Sequence, residues 1–358
     1  MSQAVFDGLK VLFVGSIQLR HAGARYYATS QKFINGLIRQ GACVTAISDR
    51  DMARLAGRFG MKSEPRTEAA FLELCQALRP DVILYSHADK IPPRTLQTVR
   101  AMLPATKQAL LTIDALFVPG NVARLREKSG LVDAVFTTTW GPSRGKIAVS
   151  PTVPIYFMPN PVDRSIECHQ AFANPNPTHD IFFTCGNAPV GDERYDLPLF
   201  VQTQRPNYKM NWHMSSRDGG LWGAAYFQQV AAARCGLNLS RKLEKNKVID
   251  PQDLQLYSSD RLAQYVGNGL LAFSDAAFGL EALFPAEEMP SFSTPEELLT
   301  QLDTYLADPA KTQRAAQAAW ARAHNHYNAE AVTRFIVERT LGTSSFEPNW
   351  PSDGYQLD

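Results

Sequence analysis

The sequence has almost no net charge, with 36 lysines and arginines against 35 aspartates and glutamates. That balance gives no field for a polyelectrolyte, so no nucleic-acid partner is expected. It has no uninterrupted apolar run of about 18 residues, so no membrane-spanning helix is expected. The opening MSQAVFDGLKVLFVG lacks the apolar stretch of a signal peptide. Cysteine is scarce: Cys43, Cys75, Cys168, Cys185 and Cys235 are odd in number, show no C-x-x-C spacing and sit mostly in apolar surroundings. This argues against a disulfide framework or zinc site and for a reducing, cytoplasmic setting. G-x-G-x-x-G, the P-loop and G-x-S-x-G are also missing, which removes the dinucleotide fingerprint, the Walker cradle and the serine-hydrolase elbow.

What is present is alternation. KVLFVG (10–15) is a short apolar strand, SQKFINGLIRQG (30–41) puts Phe33, Ile34, Leu37 and Ile38 on one helical face, and ACVTAIS (42–48) is a second strand. The series continues with a helix over 67–78, strand 81–86, a helix after Pro92 and Pro93, and strands 108–114 and 134–139. Such strands separated by helices predict a parallel sheet covered on both faces. Between residues 140 and 180 Pro, Asn and Gly accumulate, as in an interdomain linker. A second series follows: strand 181–187, helix 221–236, strand 237–240, a short helix after Ser259, strand 270–274 and long helices over 295–341. The chain length of 358 allows two ordinary cores. The expected fold class is α/β, with two Rossmann-like domains whose parallel sheets face a central cleft. The expected divisions are 1–150, 151–328 and a C-terminal helix and tail, 329–358, returning towards the first domain.

Polar residues gather at SSDRLAQYVGNGLLAFSD (258–275). Free N–H groups at a helix start attract anions, and Ser258, Ser259 and an exposed Arg261 are expected to hold one. The competing reading is a capped helix, with Ser259 and Asp260 as ordinary cap chemistry. Gly267 and Gly269 would let helix and strand pack closely, and Asn268 would take the left-handed conformation. At the end of FFTCGN, Gly186 and Asn187 permit close ligand approach, and Arg194 can reach a phosphate unless Asp192 and Glu193 offset it. LNLSRK adds Asn238, Ser240, Arg241 and Lys242 at another strand end. Asp49 and Asp51 in DRD could hold Mg²⁺ or Mn²⁺, but Asp at a strand-to-helix turn is a common cap, and no metal site is expected.

The run from YSSDRLAQYVGNGLLAFSD through EEMPSFSTPEELLTQL to ARAHNHY, within 254–341, resembles the C-terminal region of CgeB/YkvP-like, group 1-type glycosyltransferases of the GT-B fold. IYFMPNPVD (155–163) is similar to the stretch entering their second domain. The resemblance implies a donor domain at the C-terminal side that binds a nucleotide sugar, and an acceptor-side N-terminal domain. It departs at Gln264, where the family has a Glu that contacts the donor ribose. The Ser258-Ser259 pair also looks like the phosphate-holding serines of CMP-sugar (sialyl- and Kdo-type) transferases, so CMP stands beside UDP, GDP and dTDP. Arg20, His21 and Arg25 follow the first strand and border the acceptor side in that arrangement. His87 and Asp114 close their strands, as candidates for the group that takes the acceptor's proton or meets developing positive charge; Asp192 is a third candidate acid.

The resemblance therefore implies transfer of a sugar to a hydroxyl acceptor, a glycan or lipid-linked glycan of bacterial surface assembly such as lipopolysaccharide or capsule. No cofactor and no metal are implied, and contact with the inner membrane surface is peripheral. A GT-B-like epimerase and a non-catalytic sugar-nucleotide-binding protein are the alternatives.

Overall fold

A computed structural model describes residues 4–17, 25–58, 63–244 and 247–357. The chain divides into two compact units, one made of Met1–Pro161 with Asn328–Asp358, the other of Val162–Tyr327.

In the first unit the order is β1 (Lys10–Val14), α1 (Thr29–Arg39), β2 (Cys43–Ile47), α2 (Asp49–Arg58), α3 (Ser63–Leu78), β3 (Val82–Ser86), α4 (Pro93–Met102), β4 (Lys107–Thr112), α5 (Pro119–Ser129), β5 (Ala134–Thr137) and β6 (Ile155–Phe157). The six strands form one sheet in the order β2-β1-β3-β4-β5-β6, and every neighbouring pair is parallel. All of β3, VILYS, is buried, as expected of a strand covered on both faces. Leu12, Val14, Ile83, Tyr85 and Leu110 form the centre of the core.

The α1 helix turns differently from its sequence reading. Phe33, Ile34 and Leu37 are buried, but Ile38 is 54% exposed. The buried face is shifted towards Gly36, because the last helix packs there: a Cβ on Gly36 would lie 2.3 Å from the Ala329 carbonyl oxygen. That helix, α13 (Ala329–Leu341), is also tied to α1 by Gln40, whose amide donates to Thr333 Oγ1 at 2.8 Å. Beyond it the tail reaches the edge strand β6, where Tyr355 and Ile155 exchange backbone hydrogen bonds of 2.9 Å. Arg144 clasps this tail, donating to the Asp353 carbonyl at 2.7 Å and to its carboxylate at 2.9 Å. A covered edge is closed to pairing with other chains.

The second unit runs β7 (His179–Cys185), α6 (Glu193–Gln204), β8 (Met210–Met214), α7 (Ser215–Asp218), α8 (Gly223–Ala231), β9 (Ala233–Asn238), a small hairpin β10 (Leu243–Glu244) and β11 (Lys247–Val248), α9 (Pro251–Leu254), α10 (Asp260–Gly267), β12 (Leu271–Asp275), β13 (Ser291–Phe292), α11 (Pro295–Ala307) and α12 (Pro309–His326). Its sheet has the order β13-β12-β9-β7-β8 and is parallel throughout. Ile181, Phe183, Leu237, Leu271 and Phe273 meet Leu298 and Leu302 of α11 and Ala315 of α12 in the core.

Two elements differ from the sequence reading here. The helix expected to run to 236 stops at Ala231, and the strand begins at Ala233 instead of 237. Gly236 lies within this strand, where a Cβ would lie 2.8 Å from both Leu270 Cδ2 and Tyr265 Cε2, so these side chains fill the space a side chain at 236 would need. At the Gly-Asn-Gly turn the positive φ belongs to Gly269, at 72°, while Asn268 stays at −93°.

Candidate functional site

In a parallel sheet all carboxyl ends lie along one edge, and ligands of open α/β sheets bind there. In the second unit that edge is formed by Cys185, Met214, Asn238 and Asp275. Asn238 joins two strand ends and a helix: it accepts from Ser259 Oγ at 2.9 Å and donates to Ser274 Oγ at 3.1 Å. Ser259 in turn caps α10 by accepting from the Leu262 N–H at 3.1 Å, and the Asp260 carboxylate takes the Arg261 N–H at 2.9 Å. Ser258 and Ser259 are both buried. The Arg261 and Leu262 amides of the first turn are therefore taken up by the helix's own cap.

Arg261 likewise is not an exposed arm. Its Nε donates to the Thr184 carbonyl at 3.2 Å and its Nη1 to the Leu239 carbonyl at 2.5 Å, while the guanidinium lies 5.2 Å from the Phe183 ring centre. It fastens the ends of β7 and β9 together. Gln264 is buried and accepts from the Tyr226 hydroxyl at 2.7 Å, a core contact. Asp192 caps α6 and holds Arg194 in a two-point pair, with Nε at 2.9 Å and Nη2 at 2.5 Å. Burial alone would raise the Asp192 pKa, but the Arg194 side chain and backbone N–H groups bring it below the usual carboxylate value. Arg194 is thereby committed to its local partner.

Gly186 and Asn187 are exposed, and nothing lies within 4 Å of a Cβ built on Gly186. Asn187 accepts from Ser216 Oγ at 3.1 Å. Lys242 bridges Asp275, in a close pair, and Glu193 at 3.1 Å. Burial works against the Lys242 ammonium, yet these carboxylates raise its pKa. Ser240 and Arg241 stand beside it, half-buried. Asn238, Ser240, Arg241 and Lys242 thus share one strand-end region. Ser274 and Asp275 belong to it as well and were missed, although LLAFSD ends in two polar residues as FFTCGN does.

In the first unit the corresponding edge carries His87 and Asp114. His87 has φ 63° and Ala88 φ 42°, a region costly for residues other than glycine and concentrated at functional sites. The Lys128 ammonium holds the turn through the Ala88 carbonyl at 2.6 Å. His87 Nδ1 lies 3.6 Å from Asp114 Oδ2 and has no hydrogen-bond partner among the described residues. Arg124 donates to Asp114 at 2.6 Å and lies 3.5 Å from Asp89, which also pairs closely with Arg50. Arg50, Asp89 and Arg124 were not foreseen. Arg124 lies on α5, PGNVARLREKS, between the strands read at 108–114 and 134–139, and only the fold brings it to the strand ends.

Burial lowers the His87 pKa, and Arg124 and Arg50 act in the same direction against the opposing pull of Asp114 and Asp89. The unfolded chain then holds more protons than the folded one below about pH 6.5, so this residue makes acid destabilising there. Denaturant unfolding from pH 7 down to pH 5 is expected to show the wild type losing stability relative to His87→Asn, with the difference becoming independent of pH above pH 7.

Asp49 is buried and accepts from the Lys90 N–H at 2.8 Å, while Asp51 bonds closely to Ser48. Both lie in the first turn of α2. Among the described residues no group of three or more His, Cys, Asp or Glu side chains could hold a metal ion. Arg25 sits in the turn before α1, its carbonyl accepting from the Ala28 N–H at 3.0 Å. Arg20 and His21 lie outside the described residues. No helix among the described residues is long and apolar enough to cross a membrane.

Residues 192–338 match a family model described as glycosyl transferase-like. No curated protein matches the chain by sequence. Solved structures match nearly the whole chain. An α-glucosyltransferase in complex with UDP-glucose and DNA containing an abasic site is 10% identical with a TM-score of 0.64, covering 93% of this chain and 99% of that one. Sucrose-phosphate synthase from Thermosynechococcus elongatus is 12% identical with a TM-score of 0.56 and the same coverage. A trehalose-6-phosphate synthase is 10% identical with a TM-score of 0.58, covering 95% of this chain and all of that one. The fold is GT-B, with two parallel-sheet α/β domains. The solved structures share this fold, and the glycosyl transferase-like match covers residues 192–338 of the chain.

Proposed function

We propose that this chain transfers a sugar from a nucleotide-activated donor to a hydroxyl acceptor, with the donor held by the second unit and the acceptor's proton taken by the first. The observation that carries the reading is the glycosyl transferase-like match over 192–338, because it includes the strand-end residues Asn238 to Lys242, Ser274 and Asp275. Gly186 leaves open space where a diphosphate or sugar could approach the backbone. Arg241 is the nearby cation that would meet negative charge on the departing nucleotide in place of a divalent metal, Lys242 being held between Asp275 and Glu193. Two of the similar structures hold UDP-glucose or UDP with glucose, which puts UDP-sugars first among the donors to try. The CgeB/YkvP-like resemblance favours a bacterial surface glycan as the acceptor.

On the acceptor side His87 is the base. Its neutral imidazole takes the hydroxyl proton as the bond between sugar and nucleotide breaks, and Asp114, fixed by Arg124, orients the ring and stabilises the imidazolium. The 3.6 Å separation of His87 and Asp114 is of the loose kind found before substrate binds.

A melting-temperature screen against UDP-, GDP-, dTDP- and CMP-sugars tests the reading. One nucleotide class is expected to stabilise the protein, by about 2.7 kcal/mol at a hundredfold excess over its Kd. With that donor and a glycan acceptor, nucleotide release is expected to continue in EDTA. No shift with any nucleotide would overturn the reading. Loss of turnover in EDTA, restored by Mg²⁺, would overturn its metal-independent form. Isomerised donor without transfer would mean an epimerase.

A further inference from the structure

The second unit has a cavity of about 510 Å³ that the reading above does not use. It is lined by Asp180, Ala233 and Arg234, which are at the amino-terminal ends of β7 and β9. That is the opposite edge of the sheet from Cys185 and Asn238. Its size falls within the roughly 300–1,000 Å³ of small-molecule sites. Ligands at this edge are outside the usual reaction position of an α/β sheet, so the cavity is suited to holding rather than converting.

Its walls define the chemistry it can take. Arg234 and Asp180 form a pair at 3.3 Å, so the two formal charges cancel. A phosphate or a polycation finds no net opposite charge. Part of each group is already committed: Arg234 donates to the Leu306 carbonyl at 2.7 Å, and Asp180 accepts from the Lys209 N–H at 2.9 Å. A guanidinium carries five N–H donors and a carboxylate about four acceptor sites, so both retain hydrogen-bonding capacity beyond these contacts. The exposed Gln313 adds a planar amide to the rim, whereas the Asn174 amide already donates to the Ala231 carbonyl and accepts from the Asn176 N–H, both at 2.9 Å. Apart from Thr312, whose hydroxyl donates to the Tyr305 carbonyl, the remaining wall is apolar and stiff: half-buried Phe172, whose ring meets Trp320 edge-on at 5.8 Å, with Pro175 and Pro309. A neutral ligand with adjacent hydroxyls and an apolar C–H face matches this combination. Vicinal hydroxyls pair with planar carboxylate, amide and guanidinium groups, and the C–H face lies on the aromatic ring and prolines. That describes a pyranose.

We propose that this cavity is a non-catalytic saccharide-binding site, separate from the donor site. The inference rests on the wall chemistry and is independent of the transfer reaction proposed above.

Saturation-transfer NMR on the full chain tests it, with the methyl glycosides of glucose, galactose, mannose and N-acetylglucosamine at millimolar concentration as probes. At least one is expected to receive saturation on its ring protons. The signal is expected to persist in excess UDP and to fall to background in Gln313→Trp, which places a large side chain at the rim without touching the core. In the wild type, the methyl resonances of Ala171, Ala233 and Ala316, which line the cavity, are expected to shift on titration with that glycoside. This mapping keeps the test valid if Gln313→Trp melts early. No saturation from any of the four glycosides would overturn the proposal. So would a signal abolished by UDP, a signal undiminished in a folded Gln313→Trp, or alanine shifts confined to other positions. Failure of UDP to bind would leave the sugar result intact and count only against the donor reading.

Discussion

His87→Asn is expected to lower the rate of sugar transfer by roughly 10²-fold or more, with nucleotide affinity by calorimetry changed by less than about twofold. Asparagine is chosen because it tolerates the positive φ that His87 adopts. The turn survives, and only the imidazole is lost. Asp114→Asn gives the complementary result. Asp114 draws the His87 pKa upward, so removing its charge moves the acidic limb of the pH–rate profile to lower pH, while turnover falls because the ring is no longer held. Steady-state rates across pH 5 to 8 read both effects. A fully active His87→Asn protein would remove the base role from this residue, and an unmoved acidic limb in Asp114→Asn would remove the pairing.

The second large effect is on Arg261→Ala, and it falls on stability as well as on binding. Thr184 and Leu239 lose the donors to their carbonyls, and Leu239 is buried. Leaving buried polar groups unpaired costs about 1–3 kcal/mol each. Denaturant unfolding should therefore show a loss of at least about 1 kcal/mol. The loops that follow these carbonyls, through Gly186 and Asn187 on one side and Ser240 to Lys242 on the other, lose their anchor, so nucleotide affinity should drop about tenfold, or about 1.4 kcal/mol. Arg261→Lys should rescue little, since one ammonium cannot reproduce a planar fork that reaches two carbonyls. Unchanged stability in Arg261→Ala would refute the fastening role.

Why Arg261 was misjudged shows what a sequence can carry. The strands of both sheets are legible because KVLFV, VILYS and LAFSD are short apolar runs between helical patterns, a signal local to each segment. The edge strand MNWHM (Met210–Met214) is not, because it is only partly buried and shows no clear alternation. IYF (Ile155–Phe157) is hidden for another reason: it is a three-residue strand inside a Pro-rich stretch that reads as linker. Site residues follow the same division. Ser259 reads as part of an anion site or as a cap with Asp260, and only the fold shows its hydroxyl accepting from the Leu262 N–H. Polar strand ends such as Asn238 and His87 can be picked out by position, whereas Arg124 reaches Asp114 from ten residues away, along a helix whose placement no local pattern encodes.

The return of α13 to the first unit has a consequence for the order in which the molecule matures on the ribosome. Gly36 and Gln40 find Ala329 and Thr333 only after the polypeptide has been made past residue 333. The second unit, continuous from Val162 to Tyr327, has all its strands and helices earlier. Domains generally fold as units in the order they emerge; here the first to begin is the last to be finished. Until α13 arrives, the α1 face around Gly36 is uncovered apolar surface, and a nascent chain halted before residue 328 would present that face to chaperones and proteases.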